Sequence, residues 1–271
     1  MPLDGVVPDK RRDQHFLIDN NILGKIVGFA AIEKGENVLE IGAGPGNLTE
    51  ALSKKARHVY SIEMDRALVP RLAERFKGSN VTIIGGNALK VEFPEFDKVV
   101  ANLPYSISSD ITFKLLKHPF KLGVLMYQRE FALRMVARVG SPDYSRLSVG
   151  VQHFADAKIL LAVPPQAFLP PPEVESAVVG LVPRPASYSL DDRGLFMDLV
   201  TAAFTQRRKR LRNALINGAG LMGIANMKEL VRLLPQDLLD KRAEELSPED
   251  YAGLANTLYG LMGHGDQDIS R

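Results

Sequence analysis

The sequence contains no cysteine and no tryptophan. Without thiols there are no disulfides and no thiolate metal sites, and a reducing compartment suits the chain. No apolar run approaches the roughly 20 residues a spanning helix needs, and no signal-like apolar segment opens the chain. A cytoplasmic protein with no membrane association is therefore expected. Charge of one sign is also scarce: 34 basic against 32 acidic side chains leave a formal net charge of +2. That is too small to identify a polyanionic partner by itself. The basic residues are, however, unevenly spread. Five cations fall in the seven positions from Gln206 to Arg212, and Lys10, Arg11 and Arg12 stand together near the start. Such runs are either solvated helix faces or phosphate-binding surfaces.

The length, 271 residues, suits one large domain or a large and a small one, and the composition is that of a globular enzyme. Residues 1–13 read as a polar arm. An amphipathic helix follows over 20–32, with Asp19 or Asn20 as its N-cap. Apolar runs at 37–41, 58–62, 81–84, 97–101 and 122–127 read as buried strands. Helical patterns alternate with them at 47–56, 65–76, 111–117 and 130–138. After a loop at 140–144 come a helix at 145–154, a strand at 158–163 and a last strand at 175–182. The prolines of Phe168-Leu169-Pro170-Pro171-Pro172 mark a rigid segment that should not pair as strand. This alternation predicts a doubly wound, mainly parallel α/β sheet. Its final strands are joined by a connection too short for a crossover helix, so they should be antiparallel. Residues 183–192 read as a domain boundary. Beyond it the pattern is helical at 195–206, 209–216, 227–234 and 248–261, with Ser247 capping the last helix and a disordered tail from 263. The division predicted is 1–184 for an α/β domain and 185–271 for a small all-α domain.

Two stretches carry chemistry. Strand 37–41 runs into Gly42-Ala43-Gly44-Pro45-Gly46 and then a helix, the context of a nucleotide-type cofactor site, where glycine lets backbone approach a ligand. The G-x-G-x-G spacing differs from the dinucleotide fingerprint and favours an adenosyl-methionine site over a pyrophosphate cofactor. Glu63 ends the next strand, placed to accept hydrogen bonds from ribose hydroxyls, although a lone carboxylate can also be plain surface. Asn87, after the third strand, is placed to meet an adenine amine. The second stretch is Asn102-Leu103-Pro104-Tyr105, at the end of the fourth strand. It reads as a turn, or as a ligand-facing motif at the carboxyl edge of the sheet.

Taken together, these blocks resemble the ribosomal RNA adenine dimethyltransferase family, the small-subunit dimethyladenosine transferases, over nearly the whole chain. The resemblance rests on Gln14-His15-Phe16-Leu17, Glu40 to Gly46 with Leu48-Thr49, and Asn102 to Tyr105. It continues in Tyr144 to Val149, Phe168 to Pro172 with Glu175 to Val179, and Ala203 to Lys209. His15 stands where the family usually has Asn, and Asn87 where it has Asp. The Asp-Gln-His-Phe-Leu form resembles archaeal members.

The resemblance implies a Rossmann-like methyltransferase sheet, S-adenosyl-L-methionine as methyl donor and no metal. As target it implies two adjacent adenosines near the 3′ end of small-subunit rRNA, and a monomer is expected. Carried over by position, His15, Leu17, Gly42, Gly44, Glu63, Asn87 and Asn102 would line the cofactor site. Asn102 and the carbonyl of Leu103 or Pro104 would accept the hydrogens of adenine N6, while Tyr105 and Phe168 would hold the base between them. Arg207, Arg208, Lys209 and Arg212 would meet phosphates, with Arg11 and Arg12 as helpers. Two alternatives lie close: a large-subunit rRNA methyltransferase of the antibiotic-resistance type, and a non-catalytic nucleic-acid-binding factor on the same scaffold. A nicotinamide oxidoreductase fits neither the glycine spacing nor the Asn102 motif.

Overall fold

The computed structural model describes Pro8 and residues 14–264. The chain divides into two compact units, one of residues 14–133 and 155–184, the other of residues 134–154 and 185 onward. The chain crosses between them at 184/185, where the sequence marks a boundary. Residues 134–154, which the sequence-based division places with the α/β part, belong to the second unit. The helical pattern of 145–154 gives no sign of this, because periodicity reports an apolar face and not the partner that covers it.

The first unit carries nine strands: β1 (Phe16–Leu17), β2 (Asn37–Ile41), β3 (His58–Glu63), β4 (Val81–Gly85), β5 (Lys98–Asn102), β6 (Leu122–Gln128), β7 (Ala155–Val163), β8 (Phe168–Leu169) and β9 (Ser176–Pro183). Seven form one sheet in the order β4-β3-β2-β5-β6-β9-β7. The pairs from β4 through β6 are parallel, and β9 runs antiparallel to both β6 and β7. The helices between strands are α1 (Asn20–Ala30), α2 (Asn47–Ser53), α3 (Leu68–Arg75) and α4 (Ser108–Leu115), and α5 (Arg129–Met135) follows β6. Val38, Val100 and Val124 pack in one core cluster with Ile22, Ile26 and Leu52 of α1 and α2. Their neighbours Leu39, Val99 and Leu125, which point to the opposite face, are just as buried. Both faces are covered, which is why these strands read as unbroken apolar runs.

Helix ends follow local chemistry. Asp19 Oδ1 accepts from the N–H groups of Asn21 (2.8 Å) and Ile22 (3.1 Å), capping α1. The helix ends two residues before the predicted limit, at a left-handed Ala31 with φ 43°. One expectation fails outright. Phe168–Leu169 does pair, antiparallel to Phe16–Leu17, in a separate two-stranded sheet. Pro170 begins only after the two pairing residues, so its missing N–H costs this ladder nothing.

The second unit holds α6 (Arg146–Phe154), α7 (Arg193–Thr205), α8 (Leu211–Asn217), α9 (Met227–Leu230), α10 (Gln236–Leu239) and α11 (Pro248–Tyr259). Phe196, Leu199, Leu211, Leu215, Tyr251 and Leu254 share its core with Tyr144 and Val149. Two buried phenols are tied to backbone, Tyr144 to the Leu246 carbonyl (3.0 Å) and Tyr251 to the Ala243 carbonyl (2.8 Å). Ser247 caps α11 as expected: its Oγ accepts from Asp250 N–H (3.1 Å) while Asp250 Oδ2 accepts from Ser247 N–H (2.8 Å). Apart from Pro8, the predicted arm (1–13) lies outside the described residues, as does most of the predicted tail.

At the amino ends of β2 and β5, Glu36 (4 % exposed) meets Lys98 (7 % exposed) at 2.8 Å, and Lys98 also donates to the Ala31 carbonyl at 2.7 Å. Burial pushes the Glu36 carboxyl up. The Glu33 N–H and the ammonium groups of Lys98 and Lys121 outweigh that and hold it at about 2. A carboxyl lowered on folding stabilises above its ordinary value of 4.5 and loses that contribution as pH falls toward about 2. Glu36→Gln is expected to cost on the order of 3 kcal/mol in urea unfolding at pH 7, because it strands the Lys98 ammonium. The difference from wild type should shrink steadily below about pH 4.5; a gap that stays constant in acid would contradict this account.

Candidate active site

The carboxyl ends of β2, β3, β4 and β5 surround a cavity of about 250 Å³. Its floor is the turn after β2. Gly42, Gly44 and Gly46 have φ of 81°, 55° and 89°, a region in which a Cβ is strained. At Gly44 a Cβ would also lie 2.9 Å from the Phe16 ring, and at Gly46 one would lie 2.9 Å from Leu72. The turn thus presents bare backbone to the cavity, and nothing larger than glycine fits at Gly44 without displacing Phe16.

Two acids lie beneath and beside that turn. Glu63, 7 % exposed, accepts from the Gly44 N–H through Oε2 and from the Asp65 N–H through Oε1, both at 2.8 Å. Burial raises its carboxyl above the ordinary value, those two N–H groups oppose the rise, and the charge of Asp65 adds to it. The Met64 N–H also acts on this carboxylate, which still retains accepting capacity for a ligand hydroxyl. Glu40 has no exposed surface, and its Oε2 accepts from the hydroxyls of Thr49 and Ser61, both at 2.6 Å. Burial drives this carboxyl up, the Ser61 and Thr49 hydroxyls pull it back, and the Glu63 charge adds to the rise, leaving it at about 7. Glu40 therefore ties α2 and β3 together under the glycine turn, a role not visible in its place within the motif.

Across the cavity, Asn102 Nδ2 donates to the His15 carbonyl at 2.9 Å. That fixes the amide so that Oδ1 remains its accepting atom. His15 Nδ1 lies 2.9 Å from the Pro170 carbonyl, an acceptor, so the ring nitrogen is the donor. The His15 and Tyr105 rings stack at 5.9 Å and 23°. Asn87 also lines the cavity, and its Oδ1 accepts from the Leu89 N–H at 2.9 Å. A second lone pair on that oxygen remains to accept a donor.

The cavity wall thus brings together His15, Gly42, Gly44, Glu63, Asn87, Asn102, Leu103, Pro104 and Tyr105 of the residues singled out by sequence. It excludes two others. Leu17 (6 % exposed) and Phe168 (2 % exposed) are cross-strand partners on β1 and β8, and both point into the core beside α1. With Phe168 turned inward, strand alternation sends Leu169 outward instead, at 40 % exposure. The same alternation puts Phe16 on the cavity, which sequence reasoning missed along with Gln14, Met64 and Ile107. The Gln-His-Phe-Leu block offered the signal, but the choice between Phe16 and Leu17 needs the facing partner of the strand.

The basic run is split by tertiary contacts. Arg207 faces Glu244 at 3.5 Å and donates to the Ser141 carbonyl at 3.2 Å. Arg212 donates to Gln236 Oε1 at 2.9 Å and faces Asp240 at 3.4 Å, as does Arg210. Arg208 and Lys209 are exposed and, among the described residues, carry no ion pair. Arg11 and Arg12 lie outside the described residues. Among those described, no group of three or more His, Asp or Glu side chains could hold a metal, and no helix is long and apolar enough to cross a membrane.

A doubly wound sheet with a glycine cradle, an acid at the next strand end and an Asn-Leu-Pro-Tyr turn facing both defines a Rossmann-like methyltransferase. The ribosomal RNA adenine dimethylase family matches residues 9–256. A probable ribosomal RNA small subunit methyltransferase A of Methanosarcina mazei is 56% identical over 250 residues, 92% of each chain. Its counterpart in Natronomonas pharaonis is 45% identical over 256 residues, 93% of each. Among solved structures, a dimethyladenosine transferase from Plasmodium falciparum superposes with a TM-score of 0.78 at 33% identity, covering 90% of this chain and 97% of the other. The 23S rRNA methyltransferase ErmE follows at 0.68 and 26%, covering 90% and 99%. The chain belongs to the ribosomal RNA adenine dimethylase family.

Glu40 makes folding pH-dependent with a known sign. A carboxyl raised on folding contributes most below its ordinary value of 4.5, and the contribution is lost as pH rises through about 7. Glu40→Gln should therefore gain on wild type by about 1–3 kcal/mol between pH 5 and pH 8 in thermal unfolding. A difference independent of pH would mean that Glu40 does not titrate in that window.

Proposed function

We propose that this protein transfers methyl groups from S-adenosyl-L-methionine to N6 of two adjacent adenosines near the 3′ end of small-subunit rRNA, giving dimethyladenosine. The observation that carries the reading is the Asn102 amide, turned by the His15 carbonyl so that Oδ1 is left to accept beside the glycine turn. The glycine cradle and the two-sided Glu63 carboxylate suit the adenosine and its ribose; when bound, the sulfonium supplies an electrophilic methyl.

Adenine N6 is a poor nucleophile because its lone pair is delocalised into the ring. Asn102 Oδ1 and a neighbouring carbonyl accept its two hydrogens and draw the nitrogen toward tetrahedral geometry. The second acceptor is the carbonyl of Leu103 or of Pro104, the latter already holding the Ile107 N–H at 3.2 Å on one of its two lone pairs. Tyr105, whose one face is covered by His15, offers the other to the extruded base, a stack worth about 1–3 kcal/mol. Rate then comes from positioning and electrostatics, and the proton leaves to water after the methyl has moved. The relatives named as small-subunit methyltransferases support that subunit as target. Within the 206–212 run, Arg208 and Lys209, exposed and without an ion pair among the described residues, are assigned to phosphates.

Incubating the protein with labelled S-adenosyl-L-methionine and small subunits lacking adenine dimethylation, with large subunits alongside, tests the reading directly. Dimethyladenosine near the small-subunit 3′ end is expected by nuclease digestion and mass spectrometry. Label confined to large subunits would transfer the protein to the other rRNA branch, and bound cofactor without transfer would leave a binding factor. Asn102→Ala should lower turnover by about 10²–10³-fold with RNA affinity retained. Arg208→Glu with Lys209→Glu should weaken RNA binding and flatten the slope of log K against log salt by roughly 0.7–0.9 for each phosphate no longer neutralised. An unchanged slope would return the run to a solvated face.

A further inference from the structure

Tyr105 opens a single 3-10 turn, Tyr105–Ile107, directly after the Asn102-Leu103-Pro104 segment. The turn runs straight into α4 at Ser108, and two side chains from distant parts of the chain act on the half-buried Tyr105 ring. His15 covers one face. The second restraint is at the other end of the ring: the Tyr105 phenol oxygen lies 2.6 Å from Ser176 Oγ. Ser176 has no exposed surface and is the first residue of β9, opposite Gln128 of β6 and Val163 of β7. Flanked on both sides within the sheet, its hydroxyl is a fixed point. Asn102 is registered to the same framework, since β5 pairs with β6 through Asn102 opposite Met126. The acceptor amide and the anchor of the Tyr105 ring are thus referred to one rigid set of strands.

We propose that Ser176 is a positioning residue for methyl transfer: by holding the Tyr105 phenol it sets the plane on which the target base stacks, and so the approach of N6 to Asn102. The proposal rests on the rRNA adenine methyltransferase reading above. Pinning the phenol oxygen removes the swing of the ring about its two side-chain torsions. It also keeps the hydroxyl away from the base, so that a π face is presented to it. Ser176 touches neither base nor cofactor in this role, and its effect on transfer passes through Tyr105.

The test compares wild type, Ser176→Ala, Ser176→Thr, Tyr105→Phe and the Ser176→Ala/Tyr105→Phe double variant in single-turnover transfer. RNA affinity and thermal stability are measured on each. Ser176→Ala and Tyr105→Phe should each slow transfer by about 10–100-fold at saturating RNA, with RNA affinity within about twofold of wild type. The double variant should be no slower than the slower single one, because both remove the same bond. Ser176→Thr, which keeps the hydroxyl, should recover most of the rate. Tyr105→Phe keeps the ring and leaves Ser176 intact, so it reads the bond even if Ser176→Ala folds poorly. Wild-type rates in either single variant, or slowing that multiplies in the double, would overturn the proposal while the functional reading stands. Absence of transfer by wild type itself would overturn both.

Discussion

A buried parallel sheet brings four strand ends to one edge, and the turn from Gly42 to Gly46 decides what that edge can hold. Gly42 and Gly44, both in the left-handed region, bring backbone without a side chain to the cavity wall, and Gly46, also left-handed, packs close against Leu72. The Phe16 ring against Gly44 and Leu72 against Gly46 close off any larger residue from the other side. The turn in turn depends on the acids packed against it. Glu63 receives the Gly44 N–H, and Glu40 joins the helix after the turn to the neighbouring strand through two short hydroxyl bonds. Two carboxyls this close, both raised by burial, are costly to ionise together. That cost is localised where a ligand bearing hydroxyl donors would relieve part of it.

The opposite wall is organised by His15 more than by any strand. Its carbonyl orients the Asn102 amide, its imidazole bonds the Pro170 carbonyl, and its ring lies on Tyr105. Three separated parts of the chain, the 14–17 segment, the 102–105 turn and the 168–172 segment, therefore meet at one residue. The β1–β8 pairing next to it is only two residues long, but it determines that Phe16 faces the cavity while Leu17 and Phe168 face the core. His15 therefore serves through its backbone and ring stacking at once. Asn in its place could share the backbone role but not the stack on Tyr105.

In the second unit, partners brought by folding divide a continuous run of charge. The run from Arg207 to Arg212 is continuous in sequence, yet Glu244, Asp240 and Gln236 take up Arg207, Arg210 and Arg212. Arg208 and Lys209 stay exposed. The family match and the relatives extend across both units, so the catalytic cradle and the helical unit belong to one inherited plan.

Features that depend on neighbours a few residues apart were legible in the bare chain. The apolar runs of the parallel strands, the Asp19 and Ser247 caps, the glycine turn with its acid about one strand further on, and the Asn102 to Tyr105 motif are all of this kind. Other features had to wait for the folded molecule. Only there does Phe16 rather than Leu17 face the cavity, and only there does the proline-flanked Phe168–Leu169 pair at all. The assignment of residues 134–154 to the second unit is of the same sort, as is the split of the basic run into paired and exposed cations. The reason is physical. Torsions, caps and periodicity are set locally along the chain, whereas facing, pairing and neutralisation are set by partners that folding brings from far along it, as Arg212 with Asp240 and His15 with Pro170 show.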